Sequence, residues 1–207
     1  MHTVPGLKVL YFGTPVVLIT SRNEDGSANI APMSSAWWLD QSCLLGLSDN
    51  AHTAANLHRE RECVLNLPSS SMVDSVDRIA LTTGRRDVPE YRRRIGYRYE
   101  ADKFALGGLT RQPSELVRPP RIAECSIQLE CRLTTSHPVG DGATAFEVEV
   151  LRTHVEESLL VPGTHYVDPQ RWDPLIMKFC EFFGGGENVH PSRLAEGWRM
   201  PALARAA

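Results

Sequence analysis

The chain has 207 residues, 42% of them hydrophobic and 23% charged, a balance that permits a sizeable core and excludes a disordered or fibrous chain. A formal net charge of -3 gives no electrostatic reason to expect nucleic acid, and Arg92-Arg93-Arg94, with acids close by at Asp87, Glu90 and Glu100, reads as a solvated helix face. The opening Met-His-Thr-Val-Pro-Gly-Leu-Lys has no apolar signal core and no segment is apolar for the length of a membrane helix, so a cytoplasmic protein is expected, off the membrane.

Val16 to Ile19 is a nearly continuous, largely β-branched run that predicts a strand buried on both faces. Asn23-Glu24-Asp25-Gly26 supplies a turn, and Ser27 to Trp38 forms the returning arm. Pro32 cannot donate to a ladder, so this arm is an edge, carries a bulge or is interrupted there. Cys43 to Leu47 and Val64 to Leu67 are further strands, with a helix from about Ala51 to Glu62 between them.

Ser71-Met72-Val73-Asp74 resembles a capping box ahead of helically spaced Val73, Val76, Ile79 and Ala80. Residues 82–120 read as a short helix near Pro89 to Ile95 and then a long excursion, of the kind that is functional or covered by a partner. Ala123, Cys125, Ile127, Leu129, Cys131 and Leu133 alternate with Glu124, Ser126, Gln128, Glu130 and Arg132. Phe146, Val148 and Val150 alternate with Glu147 and Glu149, so two long strands each with one wet face are expected around an Asp141-Gly142 turn.

The tail, 173–207, is apolar at Ile176, Met177, Phe179, Phe182 and Phe183 and should dock on the domain or on a partner subunit. There is no internal repeat and no second domain boundary, so a single domain over 1–207 is expected. Regularly spaced strands with few long helices give a mainly antiparallel β-barrel with peripheral helices. Neither Gly-x-Gly-x-x-Gly nor a Walker motif is present, which disfavours a doubly wound α/β fold.

Two adjacent segments carry the chemistry. In Ser27 to Trp38, the small side chains of Ala31, Ser34, Ser35 and Ala36 leave the backbone accessible to a flat ring, and Asn29 and the serines offer hydrogen bonds to it. The alternative is an edge strand whose small residues pack against another chain. From Ser48 to Asn56, Asp49 or Asn50 is a natural N-cap, and the helix start behind it favours a phosphate, with Ser48, Asn50, Thr53 and His52 as side-chain partners. Asp49 would repel a phosphate and is placed as cap. Five scattered cysteines and histidines without Glu-x-x-His or His-x-His spacing predict no metal site. Arg85-Arg86 is a candidate contact for the extra phosphate of NADPH, and His190 for a nicotinamide, each against a plain surface reading.

Asp25-Gly26, Asn29-Ile30-Ala31-Pro32-Met33-Ser34 and Thr53-Ala54-Ala55-Asn56 occur in an order that resembles the flavin reductase-like family of FMN-binding split barrels, of the flavoredoxin or NAD(P)H:flavin oxidoreductase type. Glu62-Cys63-Val64-Leu65-Asn66, Asp102-Lys103-Phe104, Gly107-Gly108-Leu109 and Ile122-Ala123-Glu124-Cys125 look like its later landmarks, so the resemblance spans roughly residues 10 to 155. It implies a Greek-key split β-barrel, a homodimer, and FMN bound at or near the subunit interface. FAD is a possible substrate. Carried over by position, Asn29, Ala31, Pro32, Ser34 and Ser35 would face the ring and ribityl chain, and Ser48, Asp49, Asn50, Thr53 and Asn56 would lie at the phosphate end.

The implied reaction is hydride transfer from NAD(P)H to flavin, with a flavin-dependent monooxygenase as recipient. No catalytic acid or base is assigned. An FMN-dependent oxidase or oxygenase on the same barrel, such as a pyridoxamine-phosphate oxidase relative, and a non-catalytic flavin electron carrier are the alternatives.

Overall fold

The computed structural model describes residues 1–190, 192–194 and 200. β1 (Phe12–Pro15) precedes β2 (Val17–Arg22), and β3 (Ala28–Met33) returns antiparallel to β2 through a turn in which Gly26 adopts φ +84°. β4 (Ala36–Leu39) pairs with β5 (Ser42–Ser48), α1 (His52–Glu60) follows, and β6 (Glu62–Leu67) returns beside β2. β3 is an edge strand, and there Pro32 leaves no ladder position unfilled.

α2 (Val73–Ala80), β7 (Thr82–Thr83), α3 (Glu90–Arg94), β8 (Arg98–Tyr99), α4 (Lys103–Gly107), β9 (Arg111–Gln112) and β10 (Arg121–Ile122) occupy the middle of the chain. The excursion is thus built of short elements rather than open loop, and β7 and β8 form a parallel bridge in an otherwise antiparallel molecule. β11 (Ile127–Val139) and β12 (Ala143–Val155) form the long hairpin, and β13 (Ile176–Lys178) and β14 (Glu181–Phe183) add a small sheet on β1. That sheet is where the apolar tail docks. Its expected packing beyond residue 190 falls largely outside the described residues.

The seven-stranded sheet runs β3-β2-β6-β11-β12-β5-β4. Its two edge strands, β3 and β4, are consecutive in the chain and separated only by Ser34 and Ser35. Three Cα steps reach at most about 11 Å, whereas a flat sheet of this order would hold those edges about 29 Å apart. The sheet therefore curls into a barrel that is split at Ser34–Ser35.

Side chains alternate along β2 between two apolar clusters, which explains its unbroken hydrophobic run. Val17 and Ile19 face the barrel interior with Leu45, Leu65, Cys131, Phe146 and Val148, and Leu57 of α1 closes that cluster. Val16 and Leu18 face outward into a second cluster with Ile30, Val76, Ile79, Phe104 and Ile122, so α2 and α4 are fastened to the outside of β2 and β3. Each fully buried branched side chain contributes about 1.5–3 kcal/mol. Cys43, Cys63, Cys125 and Cys131 are free and buried, acting as small hydrophobes.

Two local expectations are corrected. The N-cap of α1 is Ala51, and neither Asp49 nor Asn50 caps it. β5 runs on to Ser48 opposite Ala143, which brings Asp49 to the β11–β12 turn: its carboxylate accepts from Thr144 Oγ1 at 2.7 Å and its N–H donates to Gly142 O. Ser71 and Asp74 make no capping box, because a 3-10 turn over Ser70–Met72 precedes α2 and the Ser71 hydroxyl pairs with that of Ser69.

The expected wet face of β11 is dry at two positions, Gln128 and Glu130, while Glu124 and Arg132 are exposed. The strand begins at Ile127 rather than Ala123, and Gln128 and Glu130 are buried under the segment between β9 and β10. Glu130 accepts from the backbone N–H groups of Glu115, Leu116 and Val117 and pairs with His154 Nε2 at 2.7 Å. Burial opposes its charge, but these donors win and hold the carboxyl below its ordinary range.

Replacing Glu130 with Gln converts one acceptor oxygen into a donor facing backbone donors. The expected cost is about 3 kcal/mol, read as a lower denaturation midpoint, with faster hydrogen exchange at the amides of 115–117. Unchanged exchange there would show that this carboxylate does not hold the segment.

Candidate functional site

The split in the barrel opens onto a cavity of about 420 Å³, a volume within the range of small-molecule and cofactor sites. Asn29, Ala31, Pro32, Ser34 and Ser35 line it from β3 and the crossover. Gly46 of β5 contributes too: its N–H donates to Ser35 O at 2.7 Å, and a Cβ there would stand 3.1 Å from Ser35 Cβ. Ser48, Ala51, His52 and Thr53 bring the end of β5 and the start of α1. The two segments singled out in the sequence thus meet on one cavity.

Of the ten residues expected at a cofactor, Asn29, Ala31, Pro32, Ser34, Ser35, Ser48 and Thr53 line this cavity, and Asp49, Asn50 and Asn56 do not. Asp49 is engaged at the β12 turn, and Asn50 is exposed beside it. Asn56 is fully buried behind α1, where its amide donates to Ser21 Oγ and Asn23 Oδ1 and its oxygen accepts from Arg59. It ties α1 to β2 and the first turn. Trp37 and Trp38 also stay out of the cavity: Trp38 packs on the barrel core and Trp37 is exposed on edge strand β4.

Several groups in the cavity seek partners. Asn29 is buried; its amide donates to Thr53 Oγ1 at 3.2 Å, while its Oδ1 has no partner among the described residues. Because the Thr53 hydroxyl accepts that bond, its own proton is free to donate. No side chain among the described residues caps α1, so its first N–H groups and the positive end of its dipole are left at the cavity.

His52 donates from Nε2 to Asn23 Oδ1 at 2.7 Å. Burial, then the charges of Lys103, Arg59 and Arg85, hold it below the ordinary histidine range, which leaves a neutral ring. Gly84 passes directly over this corner. A Cβ there would lie 2.5 Å from His52 Cδ2 and 2.8 Å from Asn29 Oδ1, so only glycine fits.

The excursion supplies what the sequence left unassigned: Thr82, Thr83, Arg92, Tyr97 and Lys103 all line the cavity. Lys103 follows Asp102, which caps α4 by accepting from Ala105 N, and its ammonium is buried between Ile30 O at 2.8 Å and Thr82 O at 3.3 Å. It has no carboxylate in contact among the described residues, and burial lowers its pKa to about 7. Lys103 stands between Asp102 and Phe104, where an ordinary solvated lysine fits as well, so the sequence carried no signal for its burial. Arg92 is half-buried here as well, against the reading of its cluster as wholly solvated.

Residues 9–176 match the flavin reductase like domain family. The chain belongs to that family. A relative in Bacillus subtilis (strain 168), the uncharacterized protein YdfE, is 38% identical over 184 residues, covering 88% of each chain. The flavoredoxin of Desulfovibrio vulgaris (Miyazaki F) superposes with a TM-score of 0.78 at 23% identity, over 95% of this chain and 100% of that one. Nitrilotriacetate monooxygenase component B of Bacillus cereus gives 0.73 at 20% identity, over 92% and 98%. The flavin reductase-like fold is therefore a split barrel with its helices outside, and among the described residues no helix is long and apolar enough to cross a membrane.

The buried lysine of this flavin reductase-like chain yields a pH test. The unfolded lysine titrates near 10.5 and the folded one near 7, so the unfolded state binds the extra proton between them. Stability without ligand is then full above about 10.5 and falls as the pH drops to about 7, below which the penalty is constant. Chemical denaturation from pH 6 to 10 should show wild type gaining stability on Lys103→Met as pH rises. Parallel curves would place the ammonium in water.

Proposed function

We propose that this protein is a flavin reductase that binds FMN in the split-barrel cavity and takes its reducing equivalents from NAD(P)H. The observation that carries the reading is an unpaired set on one cavity: the partnerless Oδ1 of Asn29, the free Thr53 hydroxyl, the uncapped start of α1 and the buried cation of Lys103. A planar ring with imide N–H and carbonyl groups, carrying a phosphate on a short chain, supplies a partner to each. FMN, when bound, would accept a hydride from the nicotinamide and pass electrons to a second acceptor.

The chain's own residues would bind and tune. Ala31, Ser34 and Ser35 keep the β3 edge low enough for a ring to lie on backbone, and Asn29 offers an acceptor there. Thr53 and the α1 amides would take the phosphate, with His52 kept neutral as a hydrogen-bonding wall. Lys103 would stabilise negative charge on the ring, where low dielectric strengthens it. No protein acid or base is required.

The likeness in fold to nitrilotriacetate monooxygenase component B supports a separate oxygenase as acceptor, with reduced flavin or its electrons handed on. A homodimer fits the exposed edge strand β4, which presents Trp37 and Leu39 to solvent. A single domain, working in the cytoplasm, completes the reading.

Anaerobic stopped-flow mixing of the FMN-loaded protein with NADH and with NADPH should bleach the flavin absorbance with at least one of them. No bleaching with either would sink the reductase reading. The Thr53→Val variant should bind FMN about tenfold more weakly, the loss of one hydrogen bond to a charged group. Riboflavin, which lacks the phosphate, should lose much less, and equal losses would move Thr53 away from the phosphate.

A further inference from the structure

The flavin reading proposed above assigns no contact to Arg92. It reaches the cavity from α3, half-buried, and among the described residues no carboxylate pairs with it. Its Nε donates to the Tyr91 hydroxyl at 3.3 Å, and its guanidinium lies 5.4 Å from the centre of the Tyr97 ring, which also lines the cavity. Its neighbours differ: Arg94 is paired with Glu90 and Arg85 with Asp87.

Nor does α3 exist to build the core. None of its residues is buried, and the unit is held by the β7–β8 bridge, by Arg98 N–H on Leu81 O at 3.1 Å and by Glu100 N–H on Thr83 O at 2.9 Å. Residues 84–98 carry six arginines against two carboxylates, in a chain whose net charge is negative. A cationic, aromatic helix with no buried residue, set over a cavity, is suited to an anion carrying a flat ring. The start of α1 supplies its own uncapped N–H groups and the Thr53 hydroxyl. A mononucleotide phosphate seated there leaves Arg92 over.

We propose that the α3 unit recognises the pyrophosphate of a dinucleotide, with Arg92 as the phosphate contact and Tyr97 as the ring on which the adjoining nucleoside rests. This rests on the flavin reductase reading for its ligand class. It makes Arg92 the residue that separates dinucleotides, NAD(P)H or FAD, from FMN. The guanidinium offers a planar fork to two phosphate oxygens, which an amide at the same place cannot do.

The test compares wild type, Arg92→Gln and the control Arg94→Gln by isothermal titration. FMN and FAD are titrated into flavin-free protein, and ADP-ribose into FMN-loaded protein. Arg92→Gln should weaken ADP-ribose or FAD about tenfold or more and change FMN less than twofold, while Arg94→Gln changes none of them. Loss confined to ADP-ribose assigns the contact to the nicotinamide dinucleotide, and loss confined to FAD assigns it to the flavin dinucleotide. Unchanged binding throughout, or an equal loss for FMN, overturns the proposal. Circular dichroism of the variant guards against misfolding, since α3 is external and its replacement should leave the spectrum unchanged. If wild type shows Arg92-dependent ADP-ribose binding and yet no nicotinamide bleaches the flavin, the reductase reading fails and the pyrophosphate site stands.

Discussion

The crossover at Ser34–Ser35 governs the rest of the molecule. Two residues must connect strands at opposite edges of a seven-stranded sheet, so the sheet has to close on itself, and at the join it cannot be laddered. Small side chains are required at that join, because Gly46 N–H reaches Ser35 O and leaves no room for bulk. The same smallness leaves backbone exposed at the barrel's opening. One topological constraint therefore produces both the closure of the fold and a concave, polar-walled site.

A split barrel leaves polar strand faces that must be covered, and the excursion does this with side-chain hydrogen bonds in place of sheet. Glu130 collects three backbone N–H groups of 115–117. Asn66, fully buried on β6, donates to Leu18 O and accepts from Ile122 N, joining β2, β6 and β10 through one amide. Thr20 donates to Pro120 O at 2.6 Å. Each contact is worth little net while satisfied and costs more if broken, because its partner would be left buried and bare. Specific placement of residues 115–122 on the barrel follows from that asymmetry.

Local periodicity and ordered short motifs made the barrel legible, and they also placed Asn29, Ala31, Ser34, Ser35, Ser48 and Thr53 near one another. What they missed was decided at a distance. Glu130 alternates like any solvent-facing residue, and only the covering segment makes it interior. Asp49 has ideal capping chemistry, but the long β5–β12 pairing draws it to another strand's turn. Asn56 sits on the same face of α1 as Thr53, but one turn deeper, where Ser21, Asn23 and Arg59 take up its amide instead of the cavity. Lys103 and Arg92 come from the stretch with the weakest pattern, where short elements carry no amphipathic signal.

The electrostatics then converge. An acidic chain concentrates unpaired positive character at a single cavity: an uncapped helix start, a lysine buried without a carboxylate in contact, and an arginine with only rings beside it. His52 is held below the ordinary histidine range first by burial and then by the charges of Lys103, Arg59 and Arg85. Burial alone holds the Lys103 ammonium down, to a pKa of about 7, against the opposing pull of Glu100. An arrangement that suppresses its own cations is stabilised by any anion that enters, and binding would raise the lysine's proton affinity. The cavity thus presents donors and cations together, and under the flavin reading proposed above a phosphorylated ring would answer them at both ends.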